Sequence, residues 1–97
     1  MKLLFTPEAK SILHDLDSSP QYSKKLSKVR KALAFLEQDP RHPSLNSHKY
    51  QSLKGVDNTD VWESYVENRT PGAWRIFWQY GKEPNTLVVL IIGPHPD

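Results

Sequence analysis

The chain has 97 residues, no cysteine, 25% charged residues and a formal net charge of +2. These figures exclude disulfides, thiolate metal sites and a cysteine nucleophile, and they describe an ordinary globular composition rather than a disordered one. One domain over residues 1–97 is expected, able to bury about 60–65% of its unfolded surface.

In chain order, residues 3–5 (Leu-Leu-Phe) read as a short first strand. Thr6-Pro7-Glu8 is then a helix start, with a Thr cap, Pro at the first helical position and an acid in the first turn. Ala9, Ile12, Leu13 and Leu16 follow at helical spacing and give one apolar face. Ser19-Pro20 caps and opens a second helix, on which Tyr22, Leu26, Val29, Leu33 and Leu36 form the stripe, widened by Ala32 and Phe35. Asp39-Pro40 and His42-Pro43 stop that helix near Gln38. The short connection between the two helices predicts an antiparallel hairpin.

From His48 the period changes to that of strands. Residues 48–53 predict a strand running into a Lys54-Gly55 turn. Residues 61–67 and 74–80 are aromatic-rich runs joined through Pro71-Gly72, a pair suited to a type II turn. Residues 81–85 make another turn, and residues 86–92 are an apolar, β-branched run suited to a central strand. The fold expected is α+β: an N-terminal strand and a two-helix hairpin packed on one face of a twisted, mainly antiparallel sheet of three to five strands. Alternation along residues 74–80 puts Trp74, Ile76, Trp78 and Tyr80 under the helices. Arg75, Phe77 and Gln79 then share the face the helices leave uncovered, and a charge there must be exposed, paired or used.

Charge is unevenly distributed. Between Pro20 and Gly55 there are eight Lys or Arg against two acids, an excess of six positive charges, and residues 57–67 carry four acids and no base. The basic stretch reads either as a footprint for phosphate or an acidic partner, or as a solvated helix surface. The longest apolar run, residues 87–92, is six residues against about 20 for a bilayer span. A soluble cytoplasmic protein with no membrane partner is expected. His42 and His48, six apart across a loop with no obvious third ligand, are weak as a metal pair, and no metal or cofactor is expected. His14 reads as a surface residue, and Trp62, Trp74 and Trp78 as core.

Leu53-Lys54-Gly55, Val61-Trp62-Glu63-Ser64-Tyr65-Val66, Trp74-Arg75-Ile76-Phe77-Trp78 and Ile92-Gly93-Pro94-His95, behind a two-helix half ending in Asp39-Pro40, resemble the RelE/ParE toxin superfamily. The resemblance implies a toxin of a bacterial toxin–antitoxin pair, with a cognate antitoxin laid along the basic stretch or the open sheet face. RelE-like members are metal-independent endoribonucleases that cut mRNA at the ribosome and so inhibit translation; ParE-like members inhibit DNA gyrase without catalysis. A repurposed relative that only binds a partner is the third alternative. For a nuclease the site implied is Arg75 on the scissile phosphate, His95 for proton transfer, and Glu63 and Tyr65 as base or orienting groups. Lys49, Lys54 and Arg69 would hold the RNA backbone. Two departures stand out: RelE has lysines on the strand where this chain has Glu63 and Tyr65, and no aromatic residue follows His95, which is trailed only by Pro96 and Asp97. Arg75 has a purely structural alternative, a cross-strand ion pair with Glu63 or Glu67; His95 has another, as an exposed tail residue.

Overall fold

In the computed structural model, which describes residues 1–95, five strands and two α-helices follow the order β1 (Lys2–Phe5), α1 (Pro7–Asp17), α2 (Ser23–Gln38), β2 (His48–Lys54), β3 (Asp60–Tyr65), β4 (Trp74–Tyr80) and β5 (Thr86–Pro94). The sheet order is β1-β5-β4-β3-β2. β1 runs parallel to β5 and the other pairs are antiparallel. Among the described residues, no helix is long and apolar enough to cross a membrane.

The first helix begins where its residues dictate. Thr6 Oγ1 accepts from the Ala9 N–H at 3.1 Å and so caps α1, with Pro7 at the first helical position. The same hydroxyl donates to the Leu90 carbonyl at 2.7 Å. Leu90 sits where the β4–β5 register slips, Phe77 pairing with Ile91 but Trp78 with Val89. The bulge frees a carbonyl, and the cap residue takes it up. Ser19-Pro20 opens a single 3-10 turn rather than the helix itself, which begins at Ser23 and ends at Gln38. Tyr22 therefore falls off the apolar stripe and is exposed, while Leu26, Val29, Ala32 and Leu36 are buried.

The core lies between the helices and one face of the sheet: Ala9, Leu16, Val29 and Leu36 pack with Ile76, Trp78, Leu87, Val89 and Ile92. Trp62 and Trp74 are partly buried against it. Tyr80, expected in this layer, is exposed because it ends β4 beyond the cover of the helices. The opposite face is not open as alternation alone predicts. Arg75, Phe77 and Gln79 are all buried. Over Phe77 and Gln79 the cover comes from β2 and the turn after it: six β2 residues, from Lys49 to Lys54, span only three on β3, from Trp62 to Asp60, and the slack folds over the sheet. Tyr50 packs edge-on against Phe77 with ring centroids 5.0 Å apart, and Gln79 Oε1 accepts from the Val56 N–H at 2.9 Å. Gly55 allows that approach, because a Cβ there would stand 1.9 Å from Gln79 Oε1.

The acidic and basic segments fold against each other. Glu67 accepts from Lys25 Nζ at 2.7 Å, Lys28 Nζ at 3.3 Å and the Trp74 N–H at 3.1 Å, which ties α2 to the start of β4. Asp60 pairs with Lys49 and Lys54. Burial pushes the Glu67 carboxyl up, but the hydrogen bonds from Lys25 and Trp74, with Lys25's charge and Lys28, outweigh it and hold the carboxyl below its ordinary 4.5.

Two measurements test this framework. Thr6→Ala removes a cap and leaves the Leu90 carbonyl without its donor, and is expected to cost about 1–2 kcal/mol in denaturant unfolding, with Thr6→Ser recovering most of it. Because the folded Glu67 pKa is depressed, its stabilisation is present above the ordinary value of 4.5 and is lost as pH falls through the lower folded value. Glu67→Gln is therefore expected to flatten the acid limb of stability against pH; an unchanged slope below 4.5 would contradict the pairing.

Candidate functional site

On the sheet face away from the helices, His48, Glu63, Tyr65, Arg75 and His95 line a cleft of about 410 Å³, closed at one side by the turn Thr70–Ala73. Register assembles it. Glu63 is opposite His48 on one side and Phe77 on the other, and Tyr65 is opposite Arg75. His95 follows the last ladder pair, Trp74 with Pro94, and its N–H donates to the Ala73 carbonyl at 3.0 Å. The turn that carries Ala73 is closed by its N–H to the Thr70 carbonyl at 3.1 Å, with Gly72 at φ +64°, as the Pro71-Gly72 pair demands.

Glu63 is the centre of the cleft. Its side chain is only 3% exposed, and its two oxygens meet two imidazoles: Oε1 lies 2.7 Å from His48 Nε2 and Oε2 3.2 Å from His95 Nε2. A carboxylate at this depth needs donors or a counter-charge, and the two histidines stand where these are required. Both rings are accessible, His48 at 46% and His95 at 38%. The rings of Tyr50 and His95 stand nearly perpendicular, as do those of Tyr65 and His48, each pair with centroids 6.0 Å apart.

Arg75 neither pairs with Glu63 nor with the Glu67 carboxylate. Its Nη1 donates to the main-chain carbonyls of Glu67 and Trp74, the latter at 3.1 Å, and its guanidinium lies 3.7 Å above the Tyr65 ring. The cross-strand ion pair is thus replaced by carbonyls and a ring face, because Lys25 and Lys28 already occupy the Glu67 carboxylate. Arg75 Nε is buried with no hydrogen-bond partner among the described residues. The side chain is fixed through Nη1, and one of its donors is left unused.

The structure thus brings together Arg75, His95, Glu63 and Tyr65, the four residues singled out in the sequence for proton transfer and phosphate binding. It does not bring Lys49, Lys54 or Arg69 into the same cleft. Lys49 pairs in register with Trp62, on the other face of the sheet from Glu63. Its ammonium and that of Lys54 contact Asp60, whose carboxyl hydrogen bonds from Lys54 and Lys49 hold below the ordinary 3.8. Arg69 is exposed in the loop before the Pro71-Gly72 turn, in left-handed backbone at φ +62°. His48 is the residue sequence reasoning missed. Its only signal was its place on the strand next to Glu63, and the register that pairs them cannot be read before the β2 bulge is known. His42 is elsewhere, stacked on Phe35 at 4.0 Å with Nδ1 accepting from the Ser44 N–H. Among the described residues, no group of three or more His, Asp or Glu is arranged to hold a metal ion; His48, Glu63 and His95 direct their polar atoms at one another instead. Pro96 and Asp97 lie outside the described residues.

No family model and no curated protein matches the sequence. Solved structures do match the fold. A YoeB/ParE toxin from Agrobacterium tumefaciens superposes with a TM-score of 0.71 at 14% identity, over 99% of this chain and 100% of that one. A metal-bound toxin from Helicobacter pylori gives 0.66 at 18% identity, over 98% and 94%. A chain of the archaeal RelE–RelB complex from Pyrococcus horikoshii OT3 gives 0.61 at 14% identity, over 96% and 92%. Two helices on one face of a five-stranded sheet, with a parallel N-terminal strand and a cleft on the opposite face, give this chain the fold of the YoeB, ParE and RelE toxins.

Proposed function

We propose that the chain is a toxin of a toxin–antitoxin pair and that it acts as a metal-independent endoribonuclease on mRNA at the ribosome. The observation that carries this reading is the convergence of a buried carboxylate, two accessible imidazoles and a guanidinium in one cleft. Cleavage of RNA without a metal needs a base for the ribose 2′-OH, an acid for the leaving 5′-oxygen and a cation for the phosphate. In the proposed reaction His95 turns from Glu63 toward the leaving oxygen as RNA enters, which uncovers Glu63 Oε2. Glu63 takes the 2′-OH proton, the 2′-oxygen attacks phosphorus, and the P–O5′ bond breaks as His95 gives its proton to the 5′-oxygen. The products are a 2′,3′-cyclic phosphate and a 5′-hydroxyl. Glu63 is left with one proton and His95 one short, and their 3.2 Å contact is the path that restores both. Arg75, held in the lining of the cleft by its carbonyl contacts, would set a positive charge beside the phosphate. Tyr65 holds the guanidinium plane from below.

An antitoxin is the natural partner in this reading. Lys24, Lys31 and Arg41 have no acid partner among the described residues, which leaves positive charge along α2 and the loop after it for an acidic segment to meet.

Induced expression of the wild type is expected to arrest growth with cleaved transcripts. Arg75→Ala and His95→Ala are each expected to lower cleavage by about 100-fold or more while circular dichroism shows the fold intact. If both variants stay fully toxic, the nuclease reading fails. Arrest with intact mRNA and a DNA-damage response would point instead to gyrase inhibition.

A further inference from the structure

His48 has both ring nitrogens committed. Nδ1 lies 2.9 Å from the Asn46 carbonyl oxygen, and Nε2 lies 2.7 Å from Glu63 Oε1. A carbonyl oxygen only accepts, so the first contact places a proton on Nδ1. The second joins an imidazole nitrogen to a carboxylate oxygen at hydrogen-bonding distance and therefore contains one proton. That proton sits either on the ring, giving an imidazolium facing a carboxylate, or on Glu63, giving a neutral ring facing a carboxylic acid. Only the first state leaves Glu63 able to take a proton from anything else.

We propose that His48 is a positioning residue that holds this proton, keeping Glu63 ionised and pinning Oε1 so that Oε2 is the oxygen that works. Its bearing on catalysis rests on the ribonuclease reading; the proton pairing itself does not. The geometry favours a dedicated role. His48 is placed opposite Glu63 by strand register, and its ring is fixed at a second point by the chain just before the strand. Its 46% exposure lets the ring exchange protons with water, which a carboxylate 3% exposed cannot do readily. The titratable and charged groups around the pair are Tyr50 from β2, Tyr65 from β3, Arg75 from β4 and His95 after β5. Arg75 is turned toward carbonyls rather than toward Glu63, so His48 is the cation closest in kind and place to neutralise the carboxylate.

The test uses the purified full chain and two readouts. Nitrogen-15 spectra of labelled histidine, taken at the pH of the cleavage assay, are expected to show His48 protonated at both nitrogens. Glu63→Gln is expected to return the ring to a single proton. In cleavage of an RNA substrate, His48→Ala is expected to lower kcat about 10- to 100-fold, the range typical of losing an orienting partner, with KM little changed and with rate restored by added imidazole. His48→Gln can donate to Oε1 but cannot hold the extra proton, so it is expected to be as slow as His48→Ala. A wild-type rate in His48→Gln, or a singly protonated His48 in the wild type, overturns the proposal. Should the wild type leave RNA intact while His48 still loses a proton in Glu63→Gln, the pairing stands and the ribonuclease reading falls.

Discussion

A carboxylate buried on an inner strand of a sheet sets the terms for everything around it. Glu63 is 3% exposed, between Phe77 on β4 and His48 on β2. Burying an unmatched carboxylate costs several kcal/mol, so the fold must bring polar groups to it. Two separate parts of the chain do so, although Oε2, 3.2 Å from His95 Nε2, makes no hydrogen bond among the described residues. His95 comes from the far end of β5, delivered by the ladder to β4 and by its N–H on the Ala73 carbonyl. His48 comes from the edge strand, and its placement depends on a polar relay on the opposite face. Trp78 Nε1 donates to Ser64 Oγ at 2.8 Å, Ser64 and Ser47 are 2.7 Å apart, and Ser47 Oγ donates to the Pro40 carbonyl at 2.7 Å. Each hydroxyl has one proton, so the direction is fixed from Trp78 through Ser64 and Ser47 to Pro40. That relay locks the proline-rich loop to the sheet one residue before His48. The core thus holds the cleft from behind.

Electrostatics follow the same logic of local matching. Four of the eight basic residues between Pro20 and Gly55 meet acids that lie beyond that stretch in sequence. Lys25 and Lys28 meet Glu67, and Lys49 and Lys54 meet Asp60. Exposed pairs of this kind contribute little, about 0–1 kcal/mol, but Glu67 is different because it is mostly buried and also accepts the Trp74 N–H. It fixes the stretch of chain whose carbonyls hold Arg75. The lysines of α2 therefore bear on the cleft without reaching it: they occupy the carboxylate that Arg75 would otherwise have met.

The regular elements were legible because their signals are local. The Thr6 cap, Pro7, the stop before Asp39-Pro40 and the bounds of β4 all follow from residues within a few positions of one another. The sharing of one face by Glu63 and Tyr65, and by Arg75 and Phe77, follows from a period of two. What was not legible depends on pairing at a distance. The parallel partner of β1 lies more than 80 residues away, and no period encodes a partner. The bulge in β2 lets Tyr50 cover Phe77, and the pairing of His48 with Glu63 and of Lys49 with Trp62 decides that His48 turns in while Lys49 turns away. A strand pattern with a three-residue slip inside it has no fixed face before its neighbour is known. Arg75 was correctly posed as a charge to be paired or used, but main-chain carbonyls are partners that a side-chain reading does not count.

Those carbonyls also explain how one arginine can be structural and still bring its charge to the cleft. A guanidinium has five N–H donors in a rigid fork. Here Nη1 is spent on the carbonyls of Glu67 and Trp74 and the plane rests on Tyr65, while Nε remains without a partner among the described residues. A cation tethered this way loses its side-chain entropy on folding rather than on meeting an anion. It also sits in a partly desolvated cleft, where charge acts more strongly than in water. Pairing with Glu63 would have cancelled both charges. By sending Arg75 to carbonyls and Glu63 to imidazoles, the fold keeps a positive and a negative group in one cleft without letting them neutralise each other. The proposed acid–base reaction beside a phosphate depends on that separation.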